Sequence, residues 1–168
     1  MPFTPYHLGP GLLAKAVLRD RFSFMVFGGA QVLMDIEVLV RIYRDDAVLH
    51  GASHTFLGAF VIACIAGAIG RPISLFVLRL FEIPHVTFGW GVSFATAFIA
   101  TFSHIALDAV IHVHMTPFTP LTQSNPLLGL VTGAQLHQFC IVTGVLGAAI
   151  LAAAALRRAI QGSAKGRA

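Results

Sequence analysis

Charge is what this sequence has least of. Only 11% of its 168 residues are charged while 57% are hydrophobic, and its mean hydropathy is +0.82; an ordinary soluble domain carries about 25% charged residues. That scarcity excludes a soluble globular domain. Cysteine is nearly absent as well. Cys64 and Cys140 lie inside apolar runs with no Cys-x-x-Cys spacing, which excludes a disulfide scaffold and a thiolate metal site. A free thiol in such a run behaves as a small hydrophobe. The 11 Lys and Arg residues are scattered between apolar segments, not interleaved with aromatics, so no nucleic-acid partner is expected. The N-terminus, Met1 to His7, lacks a basic stretch followed by a hydrophobic core and a small-residue cleavage site, so these residues are expected to stay in the mature chain. With no repeat and no low-complexity run, the organisation reads as one integral membrane domain over 1–160 and a basic, disordered tail over 161–168.

What is present is apolar sequence in lengths that fit a bilayer. Residues 22–43, 53–70, 88–112 and 127–156 each come near the ~20 residues a spanning helix needs. Arg71-Pro72 is expected to end the second segment, since proline cannot continue a helix cheaply. Residues 73–81, with Arg71, Arg79 and Glu82 around them, then read as an amphipathic interfacial helix. Residues 8–19 are too short to span and read as a half-inserted helix, and Pro117, Pro120 and Pro126 mark a rigid loop. Gly129 and Gly133, four apart, suit close helix contact. The fold class is therefore all-α: a polytopic bundle of about four spanning helices, a short N-terminal half-helix and an interfacial helix, with the lipid bilayer as its first partner.

Basic residues orient this path. With the loop after Tyr43 on one side, Lys15, Arg19, Arg21, Arg71, Arg79, Arg157, Arg158, Lys165 and Arg167 fall on the other, and only Arg41 and Arg44 remain beside Asp45 and Asp46. The positive-inside rule makes the richer side, with the C-terminus, cytoplasmic.

The ionisable residues that remain inside the spans are of metal-ligand type. Asp35, His50, His54, His104, Asp108 and His112 lie in or at the ends of apolar segments, where such side chains are expensive and mark a functional site. His104, Asp108 and His112 recur every fourth residue, one face of a helix. At 1.5 Å per residue, Asp35 and His104 lie ~12 Å below their helix ends, and His54 and Asp108 ~6 Å. His137 reaches ~15 Å into the last segment. All fall beneath the non-cytoplasmic surface. Imidazole and carboxylate without thiolate favour a catalytic divalent site, zinc first and manganese or iron next. Such an ion lowers the pKa of bound water to ~7, with Asp108 or His112 as proton acceptor. Glu37 sits two residues from Asp35, about 200° around a helix, and four before Arg41, an ion-pair spacing. It is expected to face away from the site.

At these residues the chain resembles the membrane-bound metal-dependent hydrolases, also described as LexA-binding inner-membrane-associated hydrolases. The resemblance runs from Thr4-Pro5-Tyr6-His7 through Asp35-Ile36-Glu37 and 50–55 to Ser103-His104-Ile105-Ala106-Leu107-Asp108. Where that family has Pro-Asp-x-Asp this chain has Met34-Asp35-Ile36-Glu37, and Gly51-Ala52 follows His50 where Arg-Gly is common. The resemblance implies a small multi-span bundle in the bacterial inner membrane. It also implies metal ligation by His7, Asp35, His50, His54, His104 and Asp108, and a hydrolase of ill-defined substrate. His7 reaches that set if 8–19 starts on the non-cytoplasmic side.

Three function classes compete. The leading one is hydrolysis of a phosphoester or related bond in a lipid or other amphiphile. A metal-ion or proton transporter is the alternative, because intramembrane Asp/His chains also build relays, but it needs polar residues at several depths. A di-haem carrier needs paired axial histidines at two depths, which the sequence lacks.

Overall fold

The computed structural model describes residues 4–165. Among them the chain forms five α-helices and no strand: α1 (Thr4–Leu18), α2 (Phe24–Tyr43), α3 (Phe56–Leu80), α4 (Trp90–Ala109) and α5 (Gly133–Lys165), with 3₁₀ turns at Arg19–Arg21 and Ala52–His54. The expected tail thus begins inside α5, and residues 166–168 lie outside the described residues. The helix starts follow local chemistry. Ser23 Oγ accepts from Val26 N at 3.4 Å and Thr55 Oγ1 from Gly58 N at 2.9 Å, satisfying donors that a first turn leaves unpaired.

Three helices are long and apolar enough to cross a membrane: α3, α4 and α5 over Gly133–Gln161. Their outward faces carry large hydrophobics such as Phe60, Ile65 and Phe76 on α3 and Phe139, Val145 and Ile150 on α5. An apolar surface of this extent belongs in lipid, not water. The α2 helix has 20 residues but carries Asp35, Glu37 and Arg41 within them.

The separate interfacial helix expected over 73–81 does not form. Pro72 lies inside α3, which runs unbroken for 25 residues. Proline leaves the Ala68 carbonyl, four residues earlier, without its helical donor, a loss that membrane helices tolerate, and beside it α3 is tied to α4. Here Ser93 Oγ donates to Gly67 O at 2.7 Å, and Arg71 Nε donates to Phe88 O at 2.8 Å. Arg71 also sits 4.9 Å above the Trp90 ring. These contacts clamp α3 to the start of α4 just before the proline.

Packing sets the direction of each helix. Phe56 meets Phe102, and Phe60 meets Phe98, so α3 and α4 are antiparallel; Ser23 reaches Thr96 and Gln31 reaches Ala100, so α2 and α4 are parallel. Buried alanines at 30, 66, 97 and 100 let these three approach closely around Phe22, Val26 and Phe27, and Ala59 and Ala109 do the same around Met34, Ile105 and Met115. The α1 helix lies parallel to α5: Tyr6 stacks on His137, and a Cβ at Gly144 would lie 3.3 Å from Gly9 Cα. Gly129, in contrast, sits in a loop at φ +77° before α5 begins at Gly133, so the close glycine contact is made by Gly9, Gly144 and Gly147 instead. One end of the bundle thus receives the last turns of α2 and α4 and the first turns of α1, α3 and α5.

Candidate metal centre

Five segments deliver side chains to that end. Asp35 comes from the second half of α2, His54 from the 3₁₀ turn before α3, and His104 and Asp108 from successive turns of α4. Single ligand atoms from these four lie within 4.8 Å of one another. His104 Nε2 is 3.1 Å from Asp108 Oδ2 and 3.3 Å from Asp35 Oδ1, while His54 Nε2 is 3.7 Å from each carboxylate. His54, His104 and Asp108 are buried, and Asp35 is partly so.

The contacts of the far ring nitrogens assign the tautomers. Gln31 Nε2 donates to Ala100 O at 3.2 Å, which turns Gln31 Oε1 toward Nδ1 of His104, its hydrogen-bond partner. In the neutral imidazole that a metal requires, that nitrogen donates and Nε2 presents a lone pair. For His54 the reasoning runs through Ser53, whose Oγ lies 2.5 Å from Glu37 Oε2 and 2.8 Å from His54 Nδ1. A carboxylate only accepts, so the serine proton goes to Glu37 and Oγ accepts from His54 Nδ1–H. Nε2 of His54 is again left with its lone pair. These nitrogens, with His7 Nε2 and Asp108 Oδ1, are buried without a hydrogen-bond partner.

Lone pairs facing carboxylate oxygens repel unless a cation lies between them. Ligands about 2.0–2.1 Å from a tetrahedral zinc stand about 3.3 Å apart, and the donor pairs here are separated by 3.1–3.7 Å. The donor set fits a divalent ion, and the buried His/Asp group could hold one.

Every sequence-derived site residue comes to this end of the bundle. His7, in the first turn of α1, is buried with Nε2 3.3 Å from Asp108 Oδ1. His50 and His112 form the outer rim with ring centroids 4.3 Å apart, and together with Asp108 they make a second group of ligand atoms within 4.8 Å of one another. His112 follows α4, its N–H donating to Asp108 O at 3.0 Å. His50, in the loop before α3, has its pKa pushed down to about 4 by burial and then by neighbouring His54 and His112. It is a neutral imidazole at physiological pH, as a metal ligand must be. His114 is exposed, and His85 hydrogen-bonds Ile83 O after α3 at the opposite end. His137 stacks on Tyr6 at 4.7 Å.

Sequence reasoning missed Gln31 and Ser53. Gln31 lies four residues before Asp35, the spacing of one helix face, and that signal was readable. Ser53 was not, because its position depends on how the 3₁₀ turn folds back over α2. Glu37 makes the expected ion pair with Arg41 at 2.9 Å, yet it also holds Ser53 and so reaches the site indirectly. Compared with family models, curated proteins and solved structures, the chain matches none.

Proposed function

We propose that the chain is a membrane-embedded, metal-dependent hydrolase that cleaves a phosphoester or related bond of a lipid or other amphiphile. Asp35, His54, His104 and Asp108 are the proposed ligands of a divalent cation, with zinc preferred and manganese or iron admissible by the same donor types. The observation that carries this reading is the buried convergence of two imidazole lone pairs and two carboxylates at separations of 3.1–3.7 Å. Such a cation, when bound, lowers the pKa of a coordinated water to about 7 and polarises a phosphoryl oxygen.

The chain's own residues do the rest. Asp35 and Asp108 balance the cation's charge, while Gln31 and Ser53 hold the imidazoles in the binding tautomer. Asp108 has imidazoles against both oxygens, which supports a ligand's part for it. The proton lost by water leaves to solvent at the rim, where the His112 side chain is 21% exposed. In the reaction the water oxygen bonds to phosphorus, the ester P–O bond breaks, and the departing alcohol takes a proton. The apolar outer faces of α3 and α5 favour a substrate that arrives from the bilayer. The charge asymmetry puts the C-terminus in the cytoplasm and the site beneath the non-cytoplasmic surface, in keeping with an inner-membrane enzyme. The resemblance over 50–55 and 103–108 supports the same class.

The transporter reading fares worse. The Asp and His residues of the site occupy one layer, and Ser93, deeper in α4, is spent on the carbonyl of Gly67. The test is elemental analysis of the detergent-purified protein, followed by a lipid-phosphate hydrolysis screen with and without chelator. Bound metal and chelator-sensitive release of alcohol are expected; a metal-free, inactive protein overturns the proposal.

A further inference from the structure

The two oxygens of Asp108 face different histidines. On the Oδ2 side, His104 Nε2 lies at 3.1 Å and His54 Nε2 at 3.7 Å. On the Oδ1 side, His7 Nε2 lies at 3.3 Å and His112 Nε2 at 4.0 Å. The Nε2 atoms of all four histidines, and Oδ1 itself, are buried and turn toward carboxylate rather than toward any donor or acceptor of the backbone. The carboxylate therefore divides the imidazoles into two sets, each approaching its own oxygen.

Either set is large enough for a cation. The Oδ2 set, completed by Asp35, is the site proposed above. The Oδ1 set has His50 and His112, which with Asp108 place one ligand atom each within 4.8 Å of the others. His7, with only 2% of its side chain exposed, aims an unpartnered nitrogen at the same oxygen. A histidine so deeply buried with neither ring nitrogen bonded costs free energy unless something satisfies it, and packing against α5 alone does not.

We propose that the centre is binuclear, with the Asp108 carboxylate bridging one divalent cation held by Asp35, His54 and His104 and a second held by His50 and His112, with His7 Nε2 set against the shared Oδ1. This rests on the hydrolase reading and deepens it, since paired cations about 3.5–4 Å apart stabilise the attacking and leaving oxygens of a phosphoester together. The second cation lies nearer the rim, where His112 is partly exposed. The substrate's phosphoryl group thus enters at the second cation and reacts between the two. It also gives His7 a function, tying α1 to the chemistry.

The test is titration of metal-stripped protein in detergent with Mn²⁺, read by bound metal per chain and by electron paramagnetic resonance. Two equivalents with an exchange-coupled spectrum are expected. The double variant His50→Gln/His112→Gln, altered only at the partly exposed rim, should bind one equivalent with an uncoupled spectrum and an unchanged helical signal by circular dichroism. One equivalent in both proteins overturns the second site and leaves the hydrolase reading standing. Two equivalents without coupling overturns the bridge, and no bound metal in either protein overturns both proposals.

Discussion

Asp108 Oδ2 lies 3.1 Å from Nε2 of His104, one turn earlier on α4, with both side chains buried. Gln31 accepts from His104 Nδ1–H, so in the neutral imidazole a lone pair faces the carboxylate, and the two could hold a cation between them. Asp108→Asn keeps the volume but removes the charge, so bound metal should fall at least tenfold and hydrolysis should be lost while the helical signal persists. If Asp108→Asn retains full metal content, the pair is a structural polar contact.

Gln31 acts through His104. Losing an outer partner of a metal-bound histidine costs about 10–100-fold in metal affinity or activity, so Gln31→Leu should weaken metal binding by that factor. Gln31→Glu still accepts from His104 Nδ1–H and should restore much of it. Equal affinities for Gln31→Leu and the wild type would remove Gln31 from the site.

Ser53 links Glu37 to His54. Ser53→Ala leaves His54 Nδ1 without its partner and should weaken metal binding roughly tenfold, at the mild end of outer-partner losses. Glu37→Gln should cost less, because an amide oxygen still accepts the serine proton. A competition titration with a metal indicator orders the two variants; Glu37→Gln weaker than Ser53→Ala would reverse the chain of contacts.

Much of this was legible because membrane sequences are poor in ionisable residues. Each Asp or His inside an apolar run stands out, and the rise per residue along an alternating path puts Asp35 and His104 ~12 Å and Asp108 ~6 Å beneath the same surface. The all-helical class followed from the same runs. Two features were not legible. Pro72 looked like a stop, but its effect depends on contacts that Ser93 and Arg71 make just before it, and these exist only once α3 and α4 are packed. The α1–α5 contact was equally hidden: Gly9 and Leu12 on α1 are far in sequence from Gly144 and Gly147 on α5, and they meet only in the folded bundle.

The rim responds to pH. His50 titrates near 4 in the folded chain, held down by burial and by His54 and His112, against about 6.5 when unfolded. Between those values the unfolded state binds more protons, so stability rises with pH and is lost as pH falls from about 6.5 toward 4. Melting temperatures of the metal-free protein across this window should decline with acidification, and His50→Gln should flatten the decline. Parallel curves would show that His50 is exposed.

The last expectation concerns how α1 is held. A Cβ at Gly147 would lie 2.6 Å from the backbone carbonyl carbon of Leu12, closer than packed atoms tolerate, so even alanine must push α1 away from α5. His7 rides on α1 one and a half turns earlier, and its Nε2 sits 3.3 Å from Asp108 Oδ1; a shift of the helix displaces that nitrogen. Gly147→Ala should therefore destabilise the fold by about 1–3 kcal/mol, the usual cost of overpacking, and weaken metal binding although residue 147 touches no ligand. Gly91→Ala is the control, because a Cβ there meets nothing within 4 Å and alanine is the better helix former. Melting temperature and metal content measured on both variants decide the matter. If Gly147→Ala matches Gly91→Ala on both counts, α1 is not positioned by the glycine contact, and His7 reaches Asp108 for some other reason.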